Sequence, residues 1–273
     1  MEHETRYVEA NGLRFAYIEE GTGPLVLLFH GFPDTPHSWD DVRPRIAARG
    51  YRAVSPFMRG YRPTAAPARD ADAETLAKDA LALIDALGET EAILVGHDWG
   101  AAAVYGATAL DQKKVTKLVA VGIPHPATLR PTPGKVWGVR HFFAYKLPGA
   151  AARFARDDFA DLRSICKRWS PDWTPSDEEL APVRECFADE ASREAAFGYY
   201  RALAFVQPRW MKTRIAVPTV VFSGTGDPNA DRRDYERGGS LFDGPYTIEE
   251  MPGGHFMHRE HPEVFAERLL AHL

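Results

Sequence analysis

The sequence predicts an α/β protein in which a parallel β-sheet is covered by helices on both faces. Short, unbroken apolar runs such as Leu25–Phe29 are typical of strands that are buried on both sides. Segments with a helical pattern lie between these runs, which is the order that parallel strands require. A chain of 273 residues is long enough for one large domain of this kind or two small ones.

The predicted elements follow one another along most of the chain. Residues 5–19 alternate apolar and polar side chains around Asn11-Gly12, a pair that favours a tight hairpin turn. Residues 75–87 carry apolar side chains on one helical face and are followed by Gly88, a typical helix stop. The predicted buried strands are Leu25–Phe29, 51–54, 92–95, 117–121 and 218–222, with a last strand-like run at 246–250.

Residues 129–211 interrupt this alternation. The segment contains no convincing buried strand, holds nearly half of the aromatic residues of the chain, and is net positive while the remainder is net negative. We expect a helical insertion with a small aromatic core. Some of its aromatic side chains are expected to face a largely apolar substrate pocket, as those of a lid would.

Composition and charge exclude several classes of protein. The chain has 33 Lys+Arg and 38 Asp+Glu, a formal net charge of −5, so no basic excess indicates nucleic-acid binding. No apolar run approaches the roughly 18 residues of a membrane span, and the N-terminus does not resemble a signal peptide. The two cysteines favour a reducing, cytoplasmic compartment over a disulfide framework. Monomer and dimer both remain open.

No metal site is predicted either. The histidines show no metal-ligand spacing, and the HExxH motif is absent. His258 and His261 are expected to be exposed on a helix near the C-terminus.

The most informative motif is Gly-His-Asp-Trp-Gly at 96–100, which directly follows an apolar run. Glycines two positions before and after a central residue allow a sharp, strained turn between a strand and a helix. The central side chain then projects from the carboxyl end of the sheet, near a helix N-terminus that favours negative charge. Because the central residue is Asp98, we predict a carboxylate nucleophile where serine is usual.

Three further elements lie where such a nucleophile needs partners. The run Leu25–Phe29 continues into His-Gly-Phe-Pro, so backbone N–H groups of Phe32 and Trp99 would meet at one oxyanion. An acid, Asp227, follows a later buried strand, and His255 follows the last strand-like run. The chain order of nucleophile, acid and base is the order that a strand–turn–helix nucleophile of this type uses.

The chain resembles the α/β-hydrolase fold over essentially its full length, and within it the branch of epoxide hydrolases and haloalkane dehalogenases. The motifs that carry the resemblance are His-Gly-Phe-Pro at 30–33, Gly-His-Asp-Trp-Gly at 96–100 and Gly-Gly-His-Phe-Met-His-Arg-Glu-His-Pro-Glu at 253–263. The resemblance implies a mostly parallel eight-stranded sheet flanked by helices. It implies a core of residues 1–128 and 212–273, a helical cap at 129–211, and a cis peptide bond before Pro33.

An aspartate nucleophile implies attack on a saturated carbon. The carboxylate of Asp98 would displace a leaving group in line and form an ester with the substrate. Water activated by His255, which Asp227 orients, would then attack the carbonyl carbon of that ester. The amides of Phe32 and Trp99 would stabilise the resulting oxyanion by about 3–4 kcal/mol each. The substrate is therefore expected to be an alkyl electrophile, either an epoxide or a carbon that bears a halide.

The leaving group distinguishes these substrates, because an epoxide oxygen leaves as an alkoxide and needs proton donors opposite the nucleophile. Epoxide hydrolases of this branch usually carry two cap tyrosines. The resemblance assigns Tyr200 to the second position and His141 to the first, with Tyr145 as the alternative donor; a His/Tyr pair is similar to that of a minority of epoxide hydrolases. The aromatic residues predicted to contact the substrate are Phe32, Trp99, Phe142 and Tyr145.

Dehalogenases are the alternative within the same branch. Haloalkane dehalogenases share a tryptophan after the nucleophile, but their second halide donor is often an asparagine where this chain has Phe32. A cap tryptophan supplies that donor in some relatives, and the candidates here are Trp137, Trp169 and Trp173. Fluoroacetate dehalogenases hold the substrate carboxylate with two arginines, at positions where this chain has Trp99 and Ala102.

We therefore predict a cofactor-independent epoxide hydrolase that converts a small apolar epoxide and water into a vicinal diol. The alternatives are a haloalkane dehalogenase with the same nucleophile and a non-catalytic small-molecule binding protein with this fold. A binding protein has no chemical need for a nucleophile aligned with its base. The set Asp98, Asp227 and His255 therefore favours an enzyme.

Overall fold

Eight strands form one sheet in the described part of the chain. The fold is that of a computed structural model, which describes residues 4–67, 69–130, 132–138, 140–203 and 208–273. The strands are β1 Thr5–Ala10, β2 Leu13–Glu20, β3 Leu25–Phe29, β4 Arg52–Pro56, β5 Ala92–His97, β6 Val115–Val121, β7 Thr219–Gly224 and β8 Tyr246–Met251. Their order across the sheet is β1-β2-β4-β3-β5-β6-β7-β8.

The sheet is mostly parallel, as the sequence predicted. β2 pairs antiparallel with β1 and with β4, and all other neighbouring strands are parallel. The predicted hairpin at the N-terminus is confirmed: β1 and β2 are joined by Asn11 and Gly12, with φ values of 43° and 74°. These are the left-handed conformations that a two-residue hairpin turn needs.

Helices precede, separate and follow the later strands. Those before residue 129 are α1 Arg43–Ala47, α2 Ala73–Ala86 and α3 Trp99–Leu110. Those of residues 129–211 are α4 Pro133–Gly138, α5 His141–Ala144, α6 Ala150–Phe154, α7 Ala160–Trp169, α8 Asp177–Ala188 and α9 Glu190–Arg201. The remainder are α10 Arg232–Gly238, α11 Met257–Glu260 and α12 Pro262–His272.

Both faces of the sheet are buried, because alternate residues of each central strand belong to different apolar cores. In β3, Leu25, Leu27 and Phe29 pack into the core that α2 and α3 cover. Val26 and Leu28 pack into the core that α1 and α12 cover. A strand with apolar neighbours on both sides needs an unbroken apolar run, which is why these strands were recognisable from sequence.

The predicted boundaries differ from the observed ones by a few residues. The strand predicted at 92–95 continues through Gly96 and His97, because backbone pairing with β6 extends beyond the apolar run. The helix predicted at 75–87 begins at Ala73, where the side chain of Asp72 accepts a hydrogen bond from the backbone of Thr75. Such capping satisfies a backbone donor that the first turn leaves unpaired.

Residues 129–211 contain helices and no strand in their described part; positions 131, 139 and 204–207 lie outside it. These helices contact loops that follow the carboxyl ends of parallel strands. The Tyr199 hydroxyl donates to the carbonyl of Arg59 after β4, and the carbonyl of Trp169 accepts from the backbone of His255 after β8. The helical segment therefore lies over the edge of the sheet where the predicted site residues emerge. No helix of the described residues is long and apolar enough to cross a membrane.

Candidate active site

Asp98 occupies a sharp turn between β5 and α3. Its backbone has φ 51° and ψ −115°, a conformation that non-glycine residues rarely adopt. The flanking glycines permit the turn, because a Cβ on Gly96 would overlap the backbone of Gly100, and one on Gly100 would overlap the carbonyl of Phe29. The turn holds the Asp98 carboxylate above the carboxyl end of the sheet.

The two oxygens of the Asp98 carboxylate have different neighbours. Oδ1 accepts a hydrogen bond of 2.8 Å from the backbone N–H of Phe32, and the bond between Phe32 and Pro33 is cis, as the resemblance implied. Oδ2 lies 3.5 Å from Nε2 of His255. Trp99 is the first residue of α3, so its N–H has no acceptor within the helix and is available near the same carboxylate.

His255 lies between two carboxylates. Its Nδ1 is 3.1 Å from Oδ2 of Asp227, while the other oxygen of Asp227 accepts from the backbone N–H of Asn229 at 2.8 Å. Burial alone would lower the pKa of His255, but hydrogen bonding and charge from Asp227 and Asp98 outweigh it and raise the pKa to about 10. The imidazole is therefore protonated at neutral pH.

Asp98 and His255 open onto a cavity of about 210 Å³. Its wall is mainly apolar, with a few polar groups near the carboxylate, as is usual for sites that bind small organic molecules. The apolar wall includes Ile123, Leu129, Phe142, Leu203, Met211 and Ala230. The polar or hydrogen-bonding wall residues are Asp98, Trp99, His141, Trp169, Asn229 and His255.

The structure separates the predicted substrate contacts into two groups. Trp99 and Phe142 line the cavity. Phe32 and Tyr145 are not among its described wall residues: Phe32 is fully buried, and the ring of Tyr145 stacks on Phe197 at 4.2 Å. Both side chains belong to the aromatic core between the helical segment and the sheet, so only the backbone of Phe32 reaches the site.

His141 and Tyr145 also differ as candidate proton donors. His141 lines the cavity and is 96% buried, and its ring nitrogens make no hydrogen bond of good geometry. Burial, helped by the charge of Arg168, lowers the pKa of His141 to about 3, although the nearby carbonyl of Gly138 opposes the shift. The ring is therefore neutral at neutral pH and carries one N–H donor.

Tyr200 packs directly behind the cavity wall. Its ring lies 5.3 Å from that of Trp99 and 5.4 Å from that of His141, measured between centroids. The hydroxyl is buried without a hydrogen bond of good geometry, although the Trp99 side chain is close to it. Burial, followed by the charge of Asp98, raises the pKa of Tyr200 well above its usual value, so the hydroxyl keeps its proton.

Sequence reasoning did not name the wall residue Asn229, did not place Trp169 in the wall, and misplaced a histidine. Asn229 lies only two positions after Asp227, and that spacing was the available signal; Trp169 was named only as one of three possible halide donors. His258 was expected to be exposed, which is wrong: it is completely buried, with its ring 4.3 Å from that of His97 and 4.7 Å from that of Trp39. The apolar face of its short helix turns inward. No cluster of metal-ligating side chains is present in the described ranges.

The chain belongs to the alpha/beta hydrolase fold family, whose sequence model matches residues 24–262. It is similar to epoxide hydrolase A of Mycobacterium tuberculosis, with 28% identity covering 98% of this chain and 96% of that protein. An epoxide hydrolase of Caballeronia sordidicola is 40% identical over 43% of this chain and 36% of its own length. The crystal structure of epoxide hydrolase VrEH1 from Vigna radiata superimposes with a TM-score of 0.82 and 26% identity, covering 99% of this chain and 97% of the other.

Proposed function

We propose that this chain is an epoxide hydrolase that converts an apolar epoxide and water into a vicinal diol. The observation that carries the proposal is the Asp98 carboxylate at the wall of an apolar cavity, with one oxygen bound by the Phe32 amide and the other beside His255. The names of the similar proteins support the same reaction. The enzyme acts on a small apolar substrate and water, without a cofactor.

The first step is ring opening. Oδ2 of Asp98 attacks a ring carbon and forms an ester bond, while the carbon–oxygen bond of the ring breaks and its electrons pass to the oxygen. The alkoxide takes the proton of the Tyr200 hydroxyl and accepts a hydrogen bond from the neutral ring of His141. In substrate-free proteins such catalytic hydrogen bonds are often long and tighten on binding, which agrees with the position of Tyr200 just behind the wall.

The second step is hydrolysis of the ester. His255 removes a proton from water, and the hydroxide attacks the carbonyl carbon of Asp98. Negative charge then develops on Oδ1, where the N–H groups of Phe32 and Trp99 stabilise it. The bond between the carbonyl carbon and Oδ2 then breaks, the proton of the new carboxyl group passes to the leaving alkoxide, and the diol leaves with Oδ2, the oxygen that made the attack in the first step.

Proton transfer links the two steps. His255 starts protonated, because Asp98 and Asp227 both stabilise its charge. Ester formation removes the charge of Asp98, so burial favours the neutral imidazole, and its proton is released to restore the Tyr200 hydroxyl by way of solvent. The neutral His255 is then the base that hydrolysis needs and regains a proton from water. The sum of both steps is epoxide plus water to diol.

A haloalkane dehalogenase is the second candidate, and Trp169 favours it. Its indole N–H is buried without a partner, and both Trp169 and Trp99 line the cavity beside Asp98. Trp137, by contrast, is 68% exposed, and Trp173 packs on Phe256 outside the wall. Two indole donors beside a carboxylate suit a halide leaving group, which needs N–H donors and no proton.

The helical segment has the place of a lid in this proposal. Residues 129–211 form the cap, and residues 1–128 and 212–273 form the core that carries Asp98, Asp227 and His255. Support comes from the wall itself, because His141, Phe142 and Trp169 of the segment face core residues across the cavity. The cytoplasmic location predicted from composition stays a prediction.

The experiment that tests the function is alkylation of a variant that cannot complete hydrolysis. His255→Gln is mixed with styrene oxide or with a bromoalkane, and the intact protein is weighed. We expect a mass increase equal to the whole epoxide, because ring opening loses no atoms, and peptide mapping should locate it on Asp98. The control is the double variant Asp98→Asn/His255→Gln, which should gain no mass.

Each outcome assigns a different function. An adduct from styrene oxide supports the epoxide hydrolase, whereas an adduct from the bromoalkane alone supports the dehalogenase. Absence of an adduct from both reagents, with a wild-type protein inactive on wider panels of each substrate, would favour a binding protein and contradict the proposal.

A further inference from the structure

Three consecutive backbone N–H groups in the loop that carries His255 donate hydrogen bonds to acceptors outside this loop. The N–H of Gly254 donates to Oε1 of Glu260 at 2.8 Å. The N–H of His255 donates to the carbonyl of Trp169 at 2.9 Å, and the N–H of Phe256 donates to the hydroxyl oxygen of Ser170 at 3.1 Å. Two of these three acceptors belong to the end of α7 in the helical segment.

Ser170 closes this arrangement into a network. Its hydroxyl donates to Oε1 of Glu260 at 2.6 Å, so Glu260 accepts from both Ser170 and Gly254. Ser170 is completely buried, and its hydrogen bonds therefore do not compete with solvent. Loss of its hydroxyl would leave the Phe256 N–H without its acceptor, which a buried amide tolerates poorly.

Glycine at position 254 allows the two segments to meet. A Cβ there would lie 2.6 Å from both the Ser170 hydroxyl oxygen and the Trp169 carbonyl oxygen, closer than real contacts allow. The contact is thus made by backbone against backbone. Any larger residue would push the end of α7 away from the His255 loop.

The helical segment and the core contact His255 from different sides. The indole of Trp169 lies edge-on to the imidazole, with centroids 5.1 Å apart. From the core side, Nε2 of His97 donates to the carbonyl of His255 at 3.0 Å. The helical segment therefore fixes the N–H of His255 and one face of its ring, and the core fixes its carbonyl.

We propose that the end of α7 positions the catalytic base, with Ser170 and Glu260 as positioning residues that act through His255. This inference rests on the proposed function, because it assigns the two residues to the hydrolytic step of that reaction. The first step uses Asp98, which the Phe32 amide orients independently of α7. Weakening the network should therefore slow ester hydrolysis and leave alkylation unchanged.

The test measures the two steps separately in the full chain. Wild type and Ser170→Ala are mixed with styrene oxide in single-turnover quenched flow, and alkylated and free protein are counted by intact mass. We expect alkylation within about twofold of wild type and ester hydrolysis slower by about tenfold or more, as a misplaced base would cause. The alkyl-enzyme should accumulate in the variant.

Conservative and control variants separate positioning from loss of fold. Glu260→Gln keeps an acceptor oxygen and should hydrolyse the ester nearly as wild type does, whereas Glu260→Ala should be slow. Ser192 is the matched control, because it is a buried serine of the same segment that accepts from the backbone of Arg62, away from His255. Ser192→Ala should leave both rate constants unchanged. Rate constants per alkylated site do not depend on the fraction of protein that folds.

Gly254→Ala keeps the Ser170 hydroxyl but should displace it, because the added Cβ would overlap it. We expect the same selective loss of ester hydrolysis as in Ser170→Ala. The positioning role would be overturned if hydrolysis were unchanged in Ser170→Ala and Gly254→Ala, or if alkylation and hydrolysis were slowed equally. In both cases the adduct itself would still support the proposed function. Absence of any adduct, in these variants and in His255→Gln, would overturn both together.

Discussion

The backbone N–H of Phe32 lies 2.8 Å from Oδ1 of Asp98, so the two oxygens of this carboxylate are not equivalent. Oδ2 lies on the other side, 3.5 Å from Nε2 of His255. In the proposed reaction Oδ2 therefore attacks the substrate, and Oδ1 becomes the oxyanion during hydrolysis. The donor that stabilises the charge is in place before the charge forms, which is the condition for efficient electrostatic catalysis.

The division of roles within Asp98 predicts where the oxygen of water goes. In one turnover in water labelled with oxygen-18, the new oxygen should enter the Asp98 carboxylate, and the diol should be unlabelled. Mass spectrometry of the diol and of the peptide that contains Asp98 measures both. Label in the diol after a single turnover would instead indicate direct attack of water on the epoxide and contradict the ester intermediate.

The cavity wall predicts a difference between His141 and Tyr145. Replacing His141 with Phe should slow epoxide opening by about 10-fold to 100-fold, because a donor to the alkoxide is lost. Tyr145→Phe should have little effect, since Tyr145 stacks on Phe197 outside the wall. Single-turnover alkylation rates provide the comparison. A larger loss in Tyr145→Phe would assign the donor to that residue.

Tyr200 should matter only when the leaving group needs a proton. Tyr200→Phe is expected to slow the opening of styrene oxide and to spare displacement of bromide from a bromoalkane, if the protein accepts it. Stopped-flow or quenched-flow alkylation with both substrates tests this. Equal losses with the two leaving groups would count against proton donation and indicate a packing role beside Trp99.

The charge of Asp98 should control the protonation of His255. The pKa of His255 is raised to about 10 in the free protein, against the lowering effect of burial, partly by Asp98. Asp98→Asn removes this negative charge and should lower the pKa, in the same direction as ester formation. NMR titration of the imidazole measures the change. Asp85→Asn, which alters an exposed carboxylate, is the control, and the same midpoint in all three proteins would contradict the proton cycle.

Buried neutral histidines should make the fold sensitive to acid. Five histidines in the described part of the chain have pKa values lowered by burial: His30, His97, His125, His141 and His258. Unfolded histidines bind protons below about pH 6.5, so the free energy of unfolding should fall from pH 7 to pH 5. The raised pKa of His255 has the opposite effect on the free energy of unfolding, but it is one group against five.

The size of this effect follows from proton linkage. For His30, whose pKa is lowered to about 3, the loss at pH 5 is about 2 kcal/mol. Urea unfolding at pH 7, 6 and 5 measures the total. His30→Gln should reduce the pH slope by about one proton, whatever its effect on stability at pH 7. A free energy of unfolding that is constant over this range would contradict the burial of these rings as neutral groups.

Local features explain why much of the fold and site was predictable. Strands buried on both faces require unbroken apolar runs, and the sharp turn between β5 and α3 requires glycines on both sides of Asp98. The hairpin requires residues such as Asn11 and Gly12 that tolerate positive φ. Each of these requirements acts within a few neighbouring residues. The pattern of residues along the chain is therefore enough to predict these elements.

Contacts between distant parts of the chain were harder to predict from the sequence. His141 and Tyr145 lie four positions apart on adjoining turns, and nothing in their local sequence says which one lines the cavity. The aromatic side chain of Phe32 was predicted to touch substrate, yet the packing of α9 and α6 encloses it completely. Such outcomes depend on how helices of the segment pack on the sheet.

The pattern of residues was enough to predict the class of fold, because buried strands and sharp turns restrict the residues that they accept, and to indicate Asp98, Asp227 and His255 as the candidate catalytic residues. Tertiary structure alone decided which oxygen of Asp98 is held, that His141 faces the cavity, and that Ser170 meets Gly254 across the end of α7. These relationships join residues that are far apart in the chain. They arise only when helices and sheet pack together and bury the groups between them.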